Sequence, residues 1–62
     1  MKNKILEFRK RKGFTQDVLA KKCKVTRQTI NAIENDRYDP TLQLAFKIAQ
    51  VLNVKVDDLF KP

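Results

Sequence analysis

A chain of 62 residues with one cysteine and no histidine has room for a single domain, 1–62, but none for a disulfide framework or a histidine-containing zinc site. Its net charge of +7 suits a polyanionic partner, and the excess is one-sided: residues 1–37 carry eleven Lys or Arg against four acids, residues 38–62 three of each. No apolar run approaches the roughly 20 residues of a membrane helix and no signal-peptide core follows Lys2 and Lys4, so no membrane partner is expected and the compartment is expected to be the reducing cytoplasm.

Helix 1 is expected from about Lys4 to Lys12, with Asn3 as its cap, Ile5, Leu6 and Phe8 as its apolar stripe, and Gly13 ending it in the left-handed conformation. Phe14 then plugs the connection into the core. Thr15 caps helix 2, with Asp17 near the positive helix end, and Val18, Leu19, Ala20 and Cys23 face inward. On that stripe Cys23 is a small buried hydrophobe; were it exposed, Lys22 and Lys24 would lower its pKa. Lys24-Val25 forms a turn. Thr26 caps helix 3, which runs to about Asn35 with Ile30 and Ile33 inward. Asp36 to Pro40 is loop-like. Thr41 caps helix 4, Leu42 to about Leu52, whose apolar face is Leu42, Leu44, Ala45, Ile48, Ala49 and Leu52. Asn53 terminates it, and Val54 and Val56 lead into a last turn at Asp57-Asp58-Leu59-Phe60. The expected fold is all-α, a compact five-helix domain.

The segment Gln16 to Glu34, QDVLAKKCKVTRQTINAIE, has the layout of a helix-turn-helix formed by helices 2 and 3. Two helices that cross steeply over so short a turn need a small residue at the crossing, and Ala20 supplies it. Ile30 and Ile33 anchor the second helix by one edge. The free edge carries Arg27, Gln28 and Asn31, with Thr29 at its side. Arg pairs bidentately with guanine, Gln or Asn with adenine, and a Thr methyl touches thymine. These four are the candidate base contacts, near the helix end that enters the major groove. Gln16, on the first turn of helix 2, and Thr26, Asn35, Arg37 and Tyr38, flanking helix 3, are the candidate contacts to the DNA backbone. Tyr38 has an alternative use in packing on Pro40, and the Lys10-Arg11-Lys12 run has one as a solvated helix face.

Over Ile5 to Phe60 the chain resembles the helix-turn-helix family of lambda-type repressors and Cro proteins, also called xenobiotic-response-element-like. The matching residues are Gln16, Ala20, Val25 to Gln28, Ile30, Ile33 to Asn35, Tyr38, Pro40 and Thr41, with the run LQLAFKIAQVLNV. The strings TRQTINAIEN and YDPTLQLAFKIA are similar to those of small single-domain bacterial regulators. The resemblance implies a lambda-repressor-like fold, a phosphate-clamping role for Gln16, base reading by Arg27, Gln28 and Asn31, at most a methyl contact from Ala32, and backbone contacts from Thr29 and Asn35. It also implies an internal ion pair between Arg9 and Glu34. Two positions depart from the family pattern: Lys24 stands where Gly is usual, and Lys55 where a Ser or Thr cap is common.

These features point to a sequence-specific regulator, a repressor, binding double-stranded DNA as a homodimer on a pseudo-palindromic operator. Its dimer contacts are expected at Val54, Val56, Leu59 and Phe60. No cofactor, metal or small-molecule effector is expected. A DNA-binding antitoxin or a partner-dependent interaction module is the alternative. An enzyme is disfavoured by the lack of histidine, of a metal-ligand cluster and of a phosphate-cradling glycine loop.

Overall fold

Three threonines start the three longest helices, as their spacing predicts. The Thr15 hydroxyl accepts from the Val18 N–H at 3.1 Å, Thr26 from Thr29 at 3.2 Å and Thr41 from Leu44 at 3.2 Å. Each cap satisfies an orphan donor and contributes about 1 kcal/mol. The computed structural model describes residues 1–61. Its elements in order are β1 (Lys2–Asn3), α1 (Ile5–Arg11), α2 (Gln16–Cys23), α3 (Arg27–Glu34), α4 (Leu42–Leu52), α5 (Val56–Leu59) and β2 (Phe60–Lys61).

All four long helices stop in the same way. Gly13, Lys24, Asp36 and Asn53 have φ of 72°, 59°, 59° and 58°. Each donates its N–H back three residues, and the next residue (Phe14, Val25, Arg37 or Val54) donates back five, to Arg9, Ala20, Ala32 and Ala49. This is the Schellman arrangement. It was foreseeable at Gly13 and Asn53, and Lys24 adopts the left-handed backbone despite its side chain. The residue after the stop usually packs inward: Phe14, Val25 and Val54 all lie against the core.

The core joins Ile5 of α1, Leu19, Ala20 and Cys23 of α2, Ile30 and Ile33 of α3, Ala45, Ile48, Ala49 and Leu52 of α4, and Leu59 and Phe60. Ala20, the small residue expected where α2 and α3 meet, is 1% exposed, and a larger side chain there would need space that the core does not offer. Three expected inward residues are instead exposed: Leu6, Val18 and Leu42. Each lies at the margin of its helix's apolar stripe, and the neighbouring helices cover only the centre.

The all-α expectation needs one addition. β1 and β2 pair antiparallel, Lys2 with Lys61 and Asn3 with Phe60, and the Lys4 N–H donates to the Leu59 carbonyl at 2.8 Å. Phe60 is therefore a strand residue rather than part of the last helical turn. The N-cap of α1 is Lys4, which makes no side-chain cap, rather than the expected Asn3; Asn3 acts from one residue earlier. Its Oδ1 accepts from the Ile5 N–H at 3.1 Å while its Nδ2 donates to the Ile33 carbonyl at 2.8 Å and to Asp36 Oδ1 at 3.2 Å. It thus staples the start of α1 to the end of α3. Lys55, at the start of α5, makes no side-chain cap; Asp57 and Asp58 in that turn offset the exposed helix dipole.

The left-handed Lys24 generates a test. Lys24→Gly removes the steric cost of a side chain at positive φ and is expected to raise unfolding free energy by up to about 1 kcal/mol. Urea denaturation followed by circular dichroism would measure it.

Candidate nucleic-acid interface

The buried edge of α3 decides which of its side chains face solvent. Ile30 and Ile33 are 0% and 1% exposed, so the opposite edge faces out. Arg27, Gln28 and Asn31 are all exposed and together line a shallow depression of about 220 Å³. The structure therefore brings the three principal base-reading candidates together. Thr29 is half-buried, and its hydroxyl lies 3.0 Å from that of Thr26. Both hydroxyls are thus committed to the start of α3, with Thr26 exposed beside it.

The backbone candidates flank this edge. Gln16 is half-buried and lines a cleft of about 420 Å³ with Arg9, Lys10 and Arg27. Beyond the far end of α3, Asn35, Arg37 and Tyr38 are exposed. Asn35 Nδ2 donates to the Asn31 carbonyl at 2.8 Å, leaving its amide oxygen outward. Arg37 follows the left-handed Asp36, the position where the other three helix stops place an apolar residue against the core. Here that residue is a cation at the surface. Of the basic run on α1, Arg11 pairs with Glu7 at 3.2 Å and stacks over the Phe8 ring. Lys10 instead lines the cleft beside Arg27.

Behind the exposed edge lies a buried polar cluster. Arg9 Nε donates to Glu34 Oε2 at 2.8 Å and Nη2 to Glu34 Oε1 at 3.1 Å, while Nη1 donates to the Phe14 carbonyl at 3.0 Å. The two side chains are 11% and 6% exposed. This is the expected ion pair between the first and third helices. Gln16 Nε2 adds a bond to Glu34 Oε1 at 3.2 Å, and Asn31 Nδ2 donates to Gln16 Oε1 at 3.4 Å. The last two contacts were not foreseen. Spacing along one helix cannot reveal a link between residues 15 positions apart on two helices.

Cys23 is buried and free; burial pushes its thiol pKa up, partly opposed by Lys47, so it stays protonated and unreactive at neutral pH. Among the described residues no group of His, Cys, Asp and Glu is arranged to hold a metal ion, and no helix is long and apolar enough to cross a membrane. Two of the expected dimer contacts, Leu59 at 0% and Phe60 at 7% exposure, are core residues with almost no surface to offer a partner. Both belong to the hydrophobic core cluster. Val54 and Val56 are half-buried.

Comparison with known proteins agrees with this geometry. A helix-turn-helix family profile matches residues 5–59. An uncharacterized HTH-type transcriptional regulator of Methanocaldococcus jannaschii is 55% identical over 60 residues, covering 97% of this chain and 91% of that one. Among solved structures, a hypothetical transcription factor from Neisseria superposes with a TM-score of 0.82 at 31% identity, covering 87% of this chain. This chain spans only 61% of that protein's chain. The N-terminal DNA-binding domain of SinR from Bacillus subtilis superposes with a TM-score of 0.77 at 34% identity, covering 84% of this chain and 77% of that domain.

The buried ion pair generates a stability test. Glu34→Ala leaves the Arg9 guanidinium buried without its partner and is expected to cost about 3–5 kcal/mol. Urea denaturation checks it, and any DNA-binding loss in this variant must be read against the fraction folded. With α2 packed against α3 and a polar edge of α3 exposed, the chain belongs to the Cro/C1-type helix-turn-helix family, a family of transcriptional regulators.

Proposed function

We propose that this protein is a cytoplasmic, sequence-specific repressor that binds double-stranded DNA as a homodimer on a pseudo-palindromic operator, with α3 in the major groove. The observation that carries the reading is the shared exposed edge of Arg27, Gln28 and Asn31 on a helix whose other edge is sealed into the core. Arg27 and Gln28 are the principal base readers, with Asn31 beside them and Thr29 in a lesser role. Gln16 and Thr26 on one side, and Asn35, Arg37 and Tyr38 on the other, grip the phosphates. The basic half of the chain contains all of these except Tyr38. Repression needs no further contact, because a protein seated on a promoter excludes polymerase by occupancy.

A second copy is favoured because one recognition helix spans too few base pairs for useful specificity. The apolar surface open to it is the outer flank of α4, where Leu42 and Phe46 are 71% and 58% exposed one turn apart. A shallow groove lined by Ala49, Gln50, Asn53 and Val54 continues along the same flank. Residues 38–62 carry three cations and three anions, so two copies approach there without the like-charge repulsion of the basic half. Val54 and Val56 remain candidate contacts at the end of this surface; Leu59 and Phe60 support it from within.

Selection of binding sites from a random duplex pool tests the reading. A two-fold related consensus is expected, with affinity falling steeply as salt rises. Arg27→Ala and Gln28→Ala should each cost about 1–3 kcal/mol and relax the preference at one base pair per half-site. Equal, weak binding to every sequence would overturn it and favour a partner-dependent interaction module.

The dimer surface has its own test. Phe46→Lys should leave folding and single half-site binding intact while weakening binding to the two-half-site duplex by roughly tenfold or more, a hot-spot loss above about 1 kcal/mol. Gel-shift titration on one and two half-sites would separate the two effects.

A further inference from the structure

We propose that Asn3 is a positioning residue for the grip on DNA: its side chain braces the left-handed stop at the end of α3, and that brace holds Arg37 outside the core for a phosphate. The proposal rests on the reading of Arg37 as a phosphate contact and names what puts it there.

Three of the four left-handed stops are anchored by the residue that follows, since Phe14, Val25 and Val54 lie against the core. Burial of that apolar side chain holds the turn closed. The fourth stop has no such anchor. Arg37 follows Asp36 and is exposed, and among the described residues its guanidinium has no ion-pair partner. Asp36 also carries a side chain at φ 59°, a conformation that costs free energy in any residue but glycine. Asn3 supplies the missing hold from another part of the chain. Its Nδ2 donates to the Ile33 carbonyl at 2.8 Å and to Asp36 Oδ1 at 3.2 Å. The same Ile33 carbonyl accepts from the Asp36 N–H at 3.1 Å, so one NH₂ group closes on both ends of the turn. The amide has a single orientation. The carbonyl and the carboxylate only accept, and the Ile5 N–H, 3.1 Å from Asn3 Oδ1, only donates. Asn3 is itself fixed from two sides, by that bond to the start of α1 and by pairing of its backbone with Phe60. With the turn held in this way, residue 37 is free to be a cation rather than an apolar plug.

Asn3→Ala removes the brace without adding charge. Asn3→Asp keeps an acceptor for the Ile5 N–H, has no hydrogen for Ile33 or Asp36, and serves if the alanine variant does not fold. The test uses the full chain and the duplex obtained by selection, titrated across a range of salt. Each Asn3 variant is made alone and together with Arg37→Ala, with thermal unfolding as the control for folding. The expected result is that the Asn3 variants bind roughly three- to tenfold more weakly, with a salt slope shallower by about one, as in Arg37→Ala, and with discrimination among base pairs kept. Once Arg37 is gone, the Asn3 substitution should cost nothing further, because groups acting as one unit are not additive. An Asn3 effect of equal size with and without Arg37, or a salt slope left at its native value, would overturn the proposal and leave Asn3 as a stabiliser of the fold. Native affinity and slope in Arg37→Ala would overturn it too, while the sequence preference of the native chain still supported DNA reading. If the native chain itself selects no preferred sequence, the DNA-reading function fails as well, and the native result alone shows it.

Discussion

The fold turns on one buried ion pair. The Arg9 guanidinium makes three hydrogen bonds, two to Glu34 and one to the Phe14 carbonyl, with both side chains nearly sealed from water. Taking two charges out of water is costly, and only such complete satisfaction offsets it. The geometry has a structural consequence, since α1, the turn after it and the end of α3 are held to one another by a single planar group. Gln16 brings α2 into the same cluster. α3, the proposed recognition helix, is thus oriented from behind by charge and from below by Ile30 and Ile33.

A domain this small has little surface to bury and must define its helix ends sharply. It does so with three threonine starts and four left-handed stops. Only one of the stops is glycine. Asp36 and Asn53 accept the left-handed region with modest strain, whereas Lys24 accepts it at greater cost. That cost sits in the turn of the helix-turn-helix, where an ammonium adds to the basic field of the same half. Stability and charge are in tension at this residue. The Schellman geometry also explains Arg37. Three of the four stops turn an apolar side chain inward, and the one that ends α3 leaves a cation outside.

The molecule is divided in charge and in surface character. The excess positive charge lies wholly within residues 1–37, with the proposed DNA-reading edge, while the balanced remainder carries the exposed Leu42 and Phe46 on α4. The two proposed partners, a polyanion and a second copy of the chain, make opposite demands on surface charge, which separate surfaces meet.

Much was legible in the residues alone, because it depends on neighbours along the chain. Helix periods, the three threonine caps, the stops at Gly13 and Asn53, the small Ala20 at the crossing and the exposed row Arg27, Gln28 and Asn31 all follow from spacing of seven residues or fewer. The Arg9–Glu34 pair, 25 residues apart, came only through family resemblance. Tertiary structure decided what spacing cannot express. A two-residue strand has no detectable period, so the β1–β2 pairing was invisible, as was the burial of Leu59 and Phe60 in the core. Leu42 and Val18 looked inward because they are apolar and near a stripe, but the width of a buried stripe is set by how far the facing helices reach. The chain from Glu34 through Gln16 to Asn31 exists only because α2 crosses α3 closely enough for one amide to touch both partners. That closeness is a property of how α2 and α3 pack in three dimensions, and spacing along either helix does not record which side chains meet.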